Sequence, residues 1–70
     1  MVANINKLKG KIVEHGYTKE DFAKAVGITT PTLRQKMLND KYEFTISESV
    51  RIKNLLNLND EDYLEIFIYF

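Results

Sequence analysis

The segment Tyr17–Asn39, YTKEDFAKAVGITTPTLRQKMLN, leaves this chain few ways to fold. It holds two short apolar-periodic runs, each opened by a hydroxyl residue, with Gly27 between them. Thr18 and Asp21 make a capping-box pattern, and Tyr17 is placed to staple onto Phe22. Phe22, Ala23 and Val26 then form the buried face of one helix. Gly27 ends it, at a turn where a positive φ comes without a Cβ penalty. The next helix starts at Thr29 or Thr30. Pro31 suits its first turn, where a missing N–H costs nothing. The residue before a proline avoids the helical region, which favours Thr30 as the cap. With Thr29 as the cap, Ile28 would staple onto Leu33. Leu33 and Met37 face inward, and Asn39-Asp40 is a suitable stop.

Three more helical segments fit around this pair. The first runs from about Asn4 to His15, with Ile5, Leu8, Ile12 and Val13 on one face and Gly16 as a left-handed stop. The fourth begins around Thr45, where Thr45 and Glu48 make a second capping box. Its apolar residues Ile46, Val50, Ile52, Leu55 and Leu56 cover well over half the circumference at about 100° per residue, which predicts a central helix buried on several sides. The fifth starts at Asn59. Asp60, Glu61 and Asp62 sit in its first turn, at the positive end of the helix dipole, and Leu58 can staple onto Tyr63. The tail YLEIFIYF is ambiguous, because its aromatic and β-branched residues also suit a strand. As either element it carries surplus apolar surface, which predicts a homodimer through Tyr63, Ile66, Phe67 and Phe70. The alternative is that Phe67 and Phe70 close the core of a monomer.

Seventy residues make one domain, residues 1–70, whose modest core needs tight packing or oligomerisation. There is no cysteine and one histidine, which leaves no thiolate metal site and little scope for a histidine cluster. No apolar run approaches a bilayer's thickness, and the first residues are too polar for a signal peptide. A soluble cytoplasmic protein is expected. Net charge is zero, but its distribution is uneven. Residues 1–41 carry eight Lys/Arg and four acids, a balance of +4, whereas residues 42–70 carry two and six, a balance of −4. The basic half contains the paired helices, and distribution matters more than the total for steering towards phosphates.

The pattern A-x-x-x-G-I-x-x-x-T-L, at Ala23, Gly27, Ile28, Thr32 and Leu33, resembles the Cro/C1-type helix-turn-helix regulators of phages and prophages. The resemblance extends over nearly the whole chain, including the FTISE start of the fourth helix, the LLNL ending and the acidic-then-aromatic last helix. It implies an all-α, compact five-helix lambda-repressor-like DNA-binding domain, with the helix-turn-helix at helices 2 and 3. Ala23 would sit where the two helices cross, and Phe22, Val26, Ile28 and Leu33 would fix their angle.

By analogy with that family, the base-reading positions are Thr29, Thr30, Pro31, Arg34 and Gln35. Arg34 suits guanine N7 and O6, and Gln35 suits adenine N6 and N7. Phosphate contacts would come from Thr18 and Lys19 at the start of helix 2, and from Lys36, Asn39 and Lys41 at the far end of helix 3. Lys36 departs from the family, which usually has an aliphatic core residue there. Either its stem lies along the core and its ammonium reaches water, or Met37 fills the space and the helix rotates slightly.

The expected function is a sequence-specific transcriptional regulator, a repressor of phage or prophage type. It would bind double-stranded operator DNA as a homodimer in the cytoplasm of a bacterial host. The alternative is a protein-interaction module on the same fold that uses the apolar C-terminus. Enzymatic activity is not expected. His15 is isolated, no nucleophile–base set or phosphate-binding glycine loop is present, and Asp60, Glu61 and Asp62 are explained by the helix dipole. No cofactor, metal, membrane or small-molecule substrate is expected.

Overall fold

Hydroxyl and amide caps start the helices where the sequence puts such residues. The computed structural model describes residues 3–38 and 43–68, which form five α-helices and no strand. These are α1 (Ile5–Glu14), α2 (Lys19–Val26), α3 (Thr30–Leu38), α4 (Ile46–Leu55) and α5 (Asp60–Phe67). The Asn4, Thr18, Thr45 and Asn59 side chains accept from the backbone N–H of Lys7, Asp21, Glu48 and Asp62, respectively. The capping box is complete at α4, where Glu48 accepts in return from the Thr45 N–H. Gly16 (φ +75°) follows α1 and Gly27 (φ +92°) ends α2, both in the left-handed region. Asn57 takes the same role after α4 at φ +49°, a conformation asparagine tolerates better than most residues.

Helix α3 is capped by Thr29 rather than Thr30. The Thr29 hydroxyl accepts from the Thr32 N–H at 3.3 Å, and the Thr29 carbonyl accepts from Leu33 N–H at 3.0 Å. Thr30 is therefore helical despite preceding Pro31, and the hydroxyl cap outweighs the local steric preference. Ile28 packs against the core just ahead of the cap, as a staple requires.

Helix α2 packs against α3 and α4, and α1 packs against α5. The Asn4 N–H donates to the Ile66 carbonyl at 2.6 Å and ties the two ends of the described chain together. The radius of gyration is 10.8 Å, against about 11 Å for a folded chain of this length. The core gathers Leu8 and Ile12 from α1, Phe22, Ala23 and Val26 from α2, Leu33 and Met37 from α3, and Ile52 from α4. Phe44, Leu56 and Leu58 join it from the connections, and Ile66 and Phe67 from α5. Phe44 meets Phe67 edge-on at a centroid distance of 6.0 Å, and Tyr17 meets Phe22 likewise at 5.6 Å.

Two expectations are corrected and one open alternative is narrowed. Val13 is 74% exposed and lies off the buried face of α1. Ile46 and Val50 are also exposed, so α4 is covered along one face only, not on several sides. That face includes the fully buried Ser49. Its hydroxyl donates to the Ile46 carbonyl at 2.7 Å and lies 2.8 Å from the Tyr63 hydroxyl, which is left as the donor of that bond. Finally, α5 is helical to Phe67, and Ile66 and Phe67 are 0% and 3% exposed within the single chain. They are core residues of the single chain, which agrees with the alternative in which Phe67 closes the core. Tyr63 is half-buried, while Phe70 lies outside the described residues.

Candidate nucleic-acid interface

Nine residues make α3, and its two faces are sharply divided. Leu33 and Met37 point into the core. At about 100° per residue, Pro31, Gln35 and Leu38 lie on the opposite side, with Arg34 at one flank and Thr32 at the other. Pro31, Arg34, Gln35 and Leu38 are all exposed, whereas Thr30 and Thr32 are half-buried. Of the five side chains assigned to base reading, Pro31, Arg34 and Gln35 therefore share an open face. Thr29 is exposed, but its hydroxyl is occupied: it caps α3 and donates to the Thr32 hydroxyl at 2.8 Å. Leu38 was not assigned a role from sequence, yet it is 72% exposed on this face. Its spacing of seven from Pro31 and three from Gln35 was the available signal.

The position of Lys36 fixes the rotation of α3. Its stem is largely buried, and its ammonium lies 5.8 Å from the centroid of the Phe44 ring. The ammonium donates to the Glu43 carbonyl at 2.8 Å and to Glu48 Oε1 at 3.1 Å. Met37 is buried at the same time, so the lysine reaches out along the core and the methionine fills it. Lys36 is consequently tied to the start of α4 and is not a free cation for phosphate. Burial pushes the Glu48 carboxyl up, but the Thr45 backbone N–H and the Lys36 ammonium outweigh it. Together they hold Glu48 below its ordinary value of 4.5.

The other charges sort by element. On α1, Lys7 pairs with Glu65 and Asp62, and Lys11 pairs with Asp62 and Glu14. Lys53 donates to Asp60 at 2.8 Å, and this contact holds the Asp60 carboxyl below its ordinary range. Lys19, Lys24 and Arg34 are exposed and make no ion pair with a described residue. Thr18 is exposed beside Lys19. Its oxygen accepts from the Asp21 N–H at 3.1 Å, leaving the hydroxyl proton to donate outward. Glu20 and Asp21 share that first turn of α2 and oppose an anion there. Asn39 and Lys41, also assigned to phosphate, lie outside the described residues.

The turn before α3 is clamped from α4. Arg51 Nη1 donates to the Val26 carbonyl at 2.8 Å, satisfying one of the open acceptors at the end of α2. A Cβ at Gly27 would lie 2.7 Å from that same nitrogen. The Gly27 N–H and the Ile28 N–H both return to the Ala23 carbonyl. The turn into α3 is thus held by the Arg51 side chain of α4 and by backbone bonds at the end of α2, none of which uses the outward side chains of α3.

No curated protein and no solved structure matches this sequence. The family model that matches spans residues 1–70, and the chain belongs to that family, described as a protein of unknown function (DUF739).

Proposed function

We propose that α2, the Gly27–Thr29 turn and α3 form a helix-turn-helix, and that the protein is a sequence-specific DNA-binding regulator of phage or prophage type. It acts in the cytoplasm of its bacterial host, as a repressor that occludes a promoter. The observation that carries this reading is the outward face of α3. It presents Pro31, Arg34 and Gln35 together, free of internal partners, on a helix whose other face is locked into the core. Arg34 offers a bidentate fork to guanine, Gln35 an amide to adenine, and Pro31 and Leu38 apolar contact to thymine methyls. Thr18 and Lys19 at the start of α2 supply phosphate contacts. Lys36 is withdrawn from that set because Glu48 holds it.

Few free cations imply a shallow salt dependence, so useful affinity rests on two copies spanning two half-sites. Ile66 and Phe67 are buried in the core, and Ile46, Val50 and Ile68 are among the exposed apolar side chains of the described residues that a second copy could cover. The same three side chains support the alternative reading, a protein-interaction module of this fold.

Selection of bound sequences from a random duplex pool tests the proposal. A two-fold symmetric consensus is expected. Replacing Arg34 and Gln35 together with alanine should cost about 2–6 kcal/mol on that consensus, with specificity relaxed at the positions they read. Enrichment of no sequence at all, with the protein folded, would sink the DNA reading.

A further inference from the structure

A groove of about 230 Å³ opens between α1, the start of α2 and the inner edge of α3. Ile12, Val13, Tyr17, Leu33 and Met37 form its apolar walls, and Lys9 and Lys19 stand at it from two different helices. Neither lysine makes an ion pair with a described residue, although Lys7 and Lys11 on α1 itself both do. No acid is among the residues lining the groove, although Glu20 and Asp21 follow Lys19 in the first turn of α2 and weaken its pull on an anion. It therefore combines a hydrocarbon floor with two uncommitted positive charges. Its size sets the occupant. A cavity of about 150 Å³ holds a benzene, whereas drug-sized ligands need about 300 Å³ or more. The space suits one or two fused rings. The charges suit a single anionic group attached to them, and burying a ring there would also cover the exposed Val13.

We propose that this groove binds a small aromatic carboxylate, its ring against Ile12, Val13 and Met37 and its carboxylate between Lys9 and Lys19. The groove shares Lys19 with the proposed phosphate contacts, but a ligand could bind there whether or not α3 binds DNA. An isotope-labelled full-length protein titrated with indole-3-propionate tests it. Saturable shifts at Val13, Tyr17 and Met37 are expected, with a dissociation constant of about 1 mM. The neutral amide of the same acid should bind about three- to tenfold more weakly, since two exposed ion pairs are lost. A Lys9→Gln, Lys19→Gln double variant should bind the acid no better than the amide. Val13→Asp should weaken the acid by about tenfold or more while the melting temperature holds, because Val13 is exposed in the folded chain. Equal affinity for acid and amide, shifts that fail to saturate, or an indifferent Val13→Asp variant would each overturn the proposal. So would a blocked Asp-Trp-Glu tripeptide that saturates the groove at a tenth of the acid's concentration, which would assign it to a protein partner instead.

Discussion

Helices α3 and α5 are similar in length and both carry charge beside apolar residues, yet they use them in opposite ways. Helix α5 spends nearly everything inside the chain. Ile66 and Phe67 fill the core, Tyr63 donates to Ser49, and Asp62 and Glu65 bind the lysines of α1. Helix α3 spends Leu33, Met37 and Lys36 on the fold and leaves Pro31, Arg34, Gln35 and Leu38 open. The comparison changes the meaning of the charge asymmetry between the two halves of the sequence. Part of the basic excess in residues 1–41 is answered by acids of residues 42–70 across the α1–α5 and α3–α4 contacts. Among the described residues of that half, the cations without an ion pair are Lys9, Lys19, Lys24 and Arg34. Charge counted along the chain predicted a basic half; charge counted in space gives a small set of free cations on α1, α2 and α3.

The contrast breaks most visibly at Phe67. A Phe67→Ala variant should lose about 3–5 kcal/mol in urea or thermal unfolding. For a domain this small, that is most of its stability. A loss below about 1 kcal/mol accompanied by dissociation of a dimer would return α5 to the role of an intermolecular surface.

Gly27→Ala tests the entry to α3. The left-handed φ of +92° disfavours alanine by about 1–2 kcal/mol. The added Cβ would also displace Arg51 Nη1 from the Val26 carbonyl, so the lost hydrogen bond should add to the backbone strain. If the turn positions the outward face and that face reads DNA as proposed, affinity for the selected duplex should fall further than the drop in stability explains.

The smallest effect is expected at Glu48. Glu48→Gln keeps the capping geometry but discharges the contact to Lys36, and should cost about 1 kcal/mol at neutral pH. Because the folded carboxyl sits below its ordinary 4.5, its contribution is fully present above that pH. It is lost as the pH falls through the lowered folded value, where the two proteins should converge. Parallel unfolding curves for the two from pH 7 to pH 3 would show that the Lys36–Glu48 contact stabilises nothing.

Much of the fold was legible in the sequence because it depends on neighbours three or four residues apart. Thr18, Thr45 and Asn59 cap the helices they precede, Gly16 and Gly27 stop the helices they follow, and Tyr17 meets Phe22 as a staple should. The candidate face was legible in part, since Arg34, Gln35 and Pro31 fall opposite Leu33 and Met37 by period alone. Leu38 was missed although its spacing from Pro31 and Gln35 puts it on the same face. Lys36 had two readings because its partners, Glu43 and Glu48, lie seven and twelve residues away.

The caps Thr18, Thr45 and Asn59 and the turn at Gly27 could be read from local sequence, whereas the start of α3 stayed open between Thr29 and Thr30 and the tail between helix and strand. The features that could be read come from caps, glycine φ angles and staples within one helical turn, and need no distant contact. Which apolar residues are covered and which charges are free follows from how the helices pack. Val13 and Ile46 lie outside and Phe67 inside, although all three are apolar residues on amphipathic segments. Lys7 is paired and Lys19 is open, although both sit in the basic half. Burial and ion pairing are properties of the partner surface, which another part of the chain supplies, and a helix's own periodicity carries no record of that partner.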